Sequence, residues 1–389
     1  MAHPYGWNNE DSSAAAVAAR AACDEARRNA ADVDQKARFP VEALDALAKS
    51  GLYGLCVDKA HGGLGLGPRA FAAVVEELSE SCASAAMVYV MHVTAAQAIA
   101  AAKPLARREA LLADVAAGRH LTTLAFSEKG SRSQFWAPVS KLDEKDGGFE
   151  VDAQKSWVTS AAKADSYVAS AQAPQAASPL ESTCFLVRKG ASGSKITSRF
   201  DGLGLRGNDS APVEFRRVRV AAGDLLSGQG HGAEMMLQVV LPWFAIGTAA
   251  MANGLCRAAV AATAKHLTES SFEHSGSRLC DLPQLRARLA QMSVRTELSR
   301  SLLGRTLGEM EAPSETTPLF VLQTRLAALE AALEVTDLAM KACGGAAFSK
   351  HLPLERLFRD ARAGFVMAPT ADHLADFVGK ALTGMPLFG

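Results

Sequence analysis

The chain has 389 residues, of which 49% are apolar and 21% charged, and its 41 basic side chains are balanced by 41 acidic ones. Such a chain can bury a large core in two or three structural units, and the even charge leaves no field that would draw nucleic-acid backbones or anionic lipid. The seven cysteines are scattered, odd in number and without the paired spacing of a metal site, which fits reduced thiols in a cytoplasm.

The first residues are polar and acidic, where an export signal needs a basic end followed by an apolar run. From there to residue 120 the pattern is helical. Pro40 suits a first helical turn, Val41, Leu44, Leu47 and Ala48 recur at helical spacing, and Gly51 follows as a stop. The glycine-rich run at 62–67 predicts a structural loop and no phosphate cradle, because no Lys-Ser/Thr follows it and no βαβ context surrounds it. Two apolar stretches, 85–102 and 235–255, are interrupted by His92, Thr94 and Gln97 and by Gln238 and Pro242, which predicts buried core helices instead of membrane spans.

Between about 121 and 228 the texture changes to short β-branched and aromatic runs, LTTLAF, GFEVDAQKSWVT, STCFLV and APVEFRRVRV, separated by Gly, Asp, Asn and Pro. The Ala-, Pro-, Gln- and Ser-rich stretch 173–182 reads as a surface loop within this β region. Helical periodicity then returns. Leu285, Leu289, Met292, Leu302, Leu303, Leu307 and Met310 mark a core-facing stripe, with Arg286, Arg288, Arg295, Glu297 and Arg305 on the opposite face. Three domains are expected: helical over 1–120, β over 121–228, and helical over 229–389.

Four segments carry more specific information. They are LAFSEKGSRS at 124–133, KSWVTS at 155–160, GLGLRGNDS at 202–210, and CGGAAF at 343–348 followed by PLERLFRDAR at 353–362. In this order and separation they resemble the acyl-CoA dehydrogenase family, respectively its TEPGxGSD, KxWITN and Arg-Ser-rich segments and its paired-glycine and RDAR stretch. The resemblance covers nearly the whole chain. It implies an α+β fold with an N-terminal helical domain, a central β-barrel-like domain and a C-terminal four-helix bundle.

The resemblance further implies FAD as cofactor. By position, the main chain at Phe126 and Ser127 would bond the flavin pyrimidine edge and Ser133 the pyrophosphate, while Trp157 would pack on the isoalloxazine and Thr159 would reach its N5 region. A flat apolar wall with one donor suits a flavin, whose potential responds to such hydrogen bonds. Gly344 and Gly345 would approach the adenine side of a neighbouring subunit's FAD, with Thr370 also near the cofactor. Glu355, Arg356, Arg359, Asp360 and Arg362 read as an internal ion-pair network. Two family phosphate contacts are altered: the usual Arg before Phe272 is missing, with Arg278 close enough in sequence to substitute, and Lys341 stands where a glutamine is usual.

The implied reaction is oxidation of an acyl thioester at Cα–Cβ, the thioester being on CoA or a carrier protein, with electron-transfer flavoprotein or oxygen as acceptor and a homo-dimer or tetramer as assembly. Val240, Trp243, Phe244, Met367 and Ala368 would line the acyl pocket, and the bulk of Trp243 and Phe244 predicts a short one. Ala368 occupies the place of the usual catalytic glutamate and cannot accept a proton. The alternative position on the helix after the β domain is vacant too. Two candidates to replace the base are Asp372, one turn beyond Ala368, and His92, which is either a core-edge histidine or a flavin-facing group of a monooxygenase. A thioester-binding flavoprotein without catalysis is the third reading.

Overall fold

Pro40 at the helix start and Gly51 at its end, the latter in the left-handed region at φ +72°, delimit a nine-residue helix that buries Ala43, Leu44 and Leu47. In the computed structural model, which describes residues 9–387, it is the second of five N-terminal helices. Residues 1–8, read above as lacking an export signal, lie outside the described residues. The five are α1 (Asn9–Lys36), α2 (Val41–Lys49), α3 (Pro68–Ser81), α4 (Ala83–Ala101) and α5 (Arg108–Ala116). Helix α4 has no polar face because it has no solvent face. Nearly every residue from Ala83 to Ile99 is buried, against α3, the first β-strand and the long helix that follows the β region.

Seven strands follow: β1 (Thr122–Ala125), β2 (Leu142–Lys145), β3 (Gly148–Val158), β4 (Ser166–Gln172), β5 (Ser182–Arg188), β6 (Ser194–Ile196) and β7 (Ala211–Ala221). They form two sheets, ordered β1-β4-β5 and β2-β3-β7-β6, with β1 and β4 parallel and every other pairing antiparallel. Single bridges Glu128–Lys155 and Lys141–Gln172 stitch one sheet to the other, which gives the region its barrel-like character. Phe149, Val151, Val158, Phe185, Phe215 and Val218 fill the space between them. Strand β3 alternates buried and exposed side chains as a half-covered strand should. Its ladder with β7 slips twice, between Val151 and Ala153 and between Lys155 and Val158.

The C-terminal part comprises α6 (Gly232–Met235), a π turn (Met236–Val240), α7 (Leu241–Glu269), α8 (Pro283–Glu311), α9 (Thr317–Phe348), α10 (Leu354–Val366) and α11 (Ala371–Thr383). Helices α7, α8 and α9 pack on one another, and α9 carries α10 and α11. The expected stripe of α8 is buried at Leu285, Met292, Leu303 and Leu307, while Leu289, Leu302 and Met310 are half-buried. Gly344 kinks α9 at φ +53° and ψ −131°, a conformation only glycine adopts without strain.

The domains are tied together by α10. The Arg359 guanidinium grips Asp34 of α1 with bonds of 2.9 and 2.7 Å, reaches Glu355 at 2.8 Å, and donates to the Leu203 carbonyl at 3.0 Å. A Cβ at Gly204 would stand 2.4 Å from the Arg359 carbonyl, so that loop lies on α10 only because the residue is glycine. The expected ion-pair network is therefore centred on Arg359. Asp360 instead accepts the Leu205 N–H at 2.7 Å, and Arg362 donates to Thr336 at 2.9 Å.

Candidate functional site

The end of β1, the end of β3, the loop before β7, the start of α7 and the end of α10 converge on one cavity of about 720 Å³. Its geometry begins with a buried ion pair. Glu128 in the loop after β1 receives the Lys155 ammonium at 2.6 Å and the Val139 and Ser140 N–H groups at 2.7 and 2.8 Å, with the Ser140 hydroxyl completing the set. Lys155 also donates to the Ser170 carbonyl. Burial alone would raise the Glu128 carboxyl, yet Lys155 and these donors hold it below its ordinary value. The ion pair fixes loop 127–133 against β3, where backbone bonds from Lys129 to Gln154 and from Ser156 to Ser127 continue the pairing.

Just beyond the pair, β3 slips out of register and Trp157 takes a left-handed backbone at φ +56°, a costly conformation for an aromatic residue. The result is an indole that is 69% exposed yet lines the cavity. Thr159 turns inward, and its hydroxyl meets that of Ser210 at 3.1 Å. The 202–210 segment has a holding role: Asn208 and Asp209 accept the N–H groups of residues 160–162 and so fix the turn after Trp157. Phe126, Ser127 and Ser133 line the same cavity, as do Lys129 and Arg132, both exposed.

The opposite wall is apolar. Val240, Leu241 and Phe244 come from the π turn and α7, Met87 and Met91 from α4, and Met367 and Ala368 from the loop after α10. Among the described residues lining the cavity, Glu128 is the single carboxylate, and it is occupied as above.

Three expectations are corrected. His92 is fully buried, and both ring nitrogens are spent on backbone: Nε2 donates to the Tyr53 carbonyl at 3.2 Å and Nδ1 accepts the Thr122 N–H at 3.2 Å. Burial pushes its pKa down to about 4, so it is neutral and does not face the cavity. Asp372 is exposed in the first turn of α11 and is not part of the lining, because Thr370 starts a new helix there instead of continuing α10. Trp243 packs on Phe71 of α3, with ring centroids 5.6 Å apart, and does not line the cavity. At about 100° per residue, Val240, Leu241 and Phe244 share one helix face and Trp243 falls roughly 100° away from its centre.

The remaining candidates lie outside the cavity. Arg278 opens the short helical turn Leu279–Asp281, Lys341 pairs with Asp337 at 2.7 Å, and Thr370 caps α11 by accepting the His373 N–H. Gly344 and Gly345 face open space, where an added Cβ would meet nothing within 4 Å. One residue next to the cavity had no sequence signal at all: Arg325 of α9, whose guanidinium bonds the Met367 carbonyl at 3.1 Å and lies 4.8 Å over the Phe244 ring.

Family models for the N-terminal, middle and C-terminal domains of acyl-CoA dehydrogenase match residues 8–119, 123–218 and 230–383. A short/branched chain specific acyl-CoA dehydrogenase of Bos taurus is 26% identical over 353 residues, covering 90% of this chain and 80% of the relative. Among solved structures, the butyryl-CoA dehydrogenase of Megasphaera elsdenii superposes with a TM-score of 0.89 at 22% identity, over 95% of this chain and 98% of that one. The prolyl acyl carrier protein oxidase AnaB gives a TM-score of 0.88 at 18% identity, over 97% and 100% of the two chains.

Proposed function

The chain belongs to the acyl-CoA dehydrogenase family, a flavin oxidoreductase acting on CH–CH groups with FAD as cofactor, and we propose that it oxidises an acyl thioester, on CoA or a carrier protein, without the family's usual glutamate base. The supporting observation is that one cavity joins the Trp157, Thr159 and Ser133 end to the apolar Val240, Phe244 and Ala368 end. The first end fits FAD: a wide-open indole next to hydroxyl groups, with Lys129 and Arg132 available to a pyrophosphate. When bound, FAD supplies the two-electron acceptor. Trp157 would cover its ring and Thr159 would orient it.

At the other end Phe244, Val240 and Met367 would exclude water and press the acyl chain toward Ala368. A methyl group accepts no proton, and Glu128 is committed to Lys155, so removal of the Cα proton depends on an acidic substrate or on the substrate's own groups. A positioned base is worth on the order of 10²–10⁴ in rate. Anaerobic mixing of the FAD-loaded protein with butyryl-CoA should therefore bleach the flavin slowly, and Ala368→Glu should speed it by about that factor. Fast bleaching of the wild type with no gain in the variant would refute the reading.

Arg278, Lys341, Gly344 and Gly345 lie away from the chain's own cavity, which supports a homo-oligomer in which they contact FAD held by a neighbour. The monooxygenase reading loses the histidine that favoured it, since His92 is turned into the core.

A further inference from the structure

Arg325 is 0% exposed, and among the described residues no carboxylate pairs with it. One of its nitrogens, Nη2, bonds the Met367 carbonyl, while Nε and Nη1 find no protein acceptor. Burial is the one influence acting on its pKa, which falls to about 9, and this still leaves the group a cation at neutral pH. A buried guanidinium without a counter-charge is among the costliest arrangements in a protein. Its hydrogen bond to the Met367 carbonyl and its cation–π approach to Phe244 both engage walls of the cavity's apolar end. Arg362, half-buried on the same cavity, adds a second positive charge; its side chain hydrogen-bonds the Thr336 hydroxyl and the Phe358 carbonyl, and the Asp337 carboxylate acts on it as the nearby opposite charge.

We propose that Arg325 is the specificity residue for an acyl thioester whose acyl group ends in a second carboxylate. This rests on the thioester reading above. An entering carboxylate would supply the missing counter-charge and accept the idle N–H groups, and a guanidinium is the side chain best matched to that planar anion. Phe244 is the element that must yield, since its ring lines the cavity while the guanidinium, 4.8 Å from the ring centroid, does not. A plain alkyl chain of equal length would leave the buried cation unanswered and would bind less well.

The test measures binding to the FAD-loaded protein by titration calorimetry and by perturbation of the flavin spectrum. Malonyl-, succinyl- and glutaryl-CoA are compared with propionyl-, butyryl- and valeryl-CoA, in the wild type and in Arg325→Lys and Arg325→Met. The expected result is a preference of about tenfold or more for the carboxylated thioester at one length at least. That preference should be lost in Arg325→Met and partly kept in Arg325→Lys. If Arg325→Met fails to fold, Arg325→Lys and the wild-type preference carry the decision. Equal binding of both series by the wild type overturns the proposal and leaves the thioester reading intact. Binding of neither series overturns both.

Discussion

Both ring nitrogens of His92 are bonded to backbone, so protonating it in the native state means breaking the bond from Thr122 as well as charging a dry interior. Its pKa falls from 6.5 to about 4, and an unfolded chain therefore takes up a proton over that range which the folded protein refuses. Stability must then drop as pH falls from 6.5 towards 4, by on the order of 3 kcal/mol when complete. Buried His120 contributes in the same direction. Urea unfolding of the wild type and of His92→Gln, whose amide can serve both backbone partners, should show a shallower pH dependence in the variant; parallel curves would refute the assignment. A second residue-level expectation concerns Glu128. Lys155→Met strands its carboxylate in the core and should cost about 3–5 kcal/mol, with loss of FAD from the loosened 127–133 loop, read as lowered Tm and flavin occupancy. That Trp157, Thr159 and Ser133 would share one cavity could be read from the sequence because their motifs are local. The pairing of Glu128 with Lys155 was not, since it joins residues 27 apart through a strand register that slips at that very place.

At the scale of elements, the change from helical to alternating periodicity near residue 121 and back near 229 marked the helix-strand-helix order, because those periods follow from burying one face of a helix or a strand. Which face of α7 would meet the cavity was harder to read. A π turn at Met236–Val240 precedes it, and the two adjacent aromatic residues diverge: Phe244 lines the cavity while Trp243 packs on Phe71. Phe244→Ala should therefore lengthen the acyl chain that the FAD-loaded protein accepts, with tighter binding worth about 0.8 kcal/mol for each further methylene buried. Trp243→Ala should leave the chain-length profile unchanged. A titration series from butyryl- to octanoyl-CoA decides this, and a shift caused by the Trp243 variant would contradict the geometry. Arg325 escaped the sequence reading for a related reason: within α9 it is one basic residue among many apolar ones, and only the packing of α9 under the 367–369 loop makes it a neighbour of the cavity.

Across the whole molecule, the cavity is assembled from all three domains and the Asp34–Arg359 grip locks the first to the last, so one chain supplies both of the cavity ends proposed above for the flavin ring and the acyl group. The other end of the cofactor poses a different problem. The paired glycines at the α9 kink look onto open space, and Phe348, one turn beyond, is 84% exposed. Val294 and Leu298 of α8 are likewise exposed, and apolar residues left in water on a rigid bundle are commonly covered by another protein surface. A second copy of this chain is the partner that would bring its own cavity, and with it the FAD phosphates, to that kink. If so, assembly and FAD retention are linked: dilution should release FAD as the oligomer dissociates, since each site would be completed by its neighbour. Phe348→Glu, which places a charge on the exposed face without touching the cavity, should shift light-scattering mass toward the monomer and lower FAD occupancy together. A variant that becomes monomeric yet holds FAD as tightly as the wild type would show that each chain binds its cofactor unaided, and one that stays oligomeric would place the interface elsewhere.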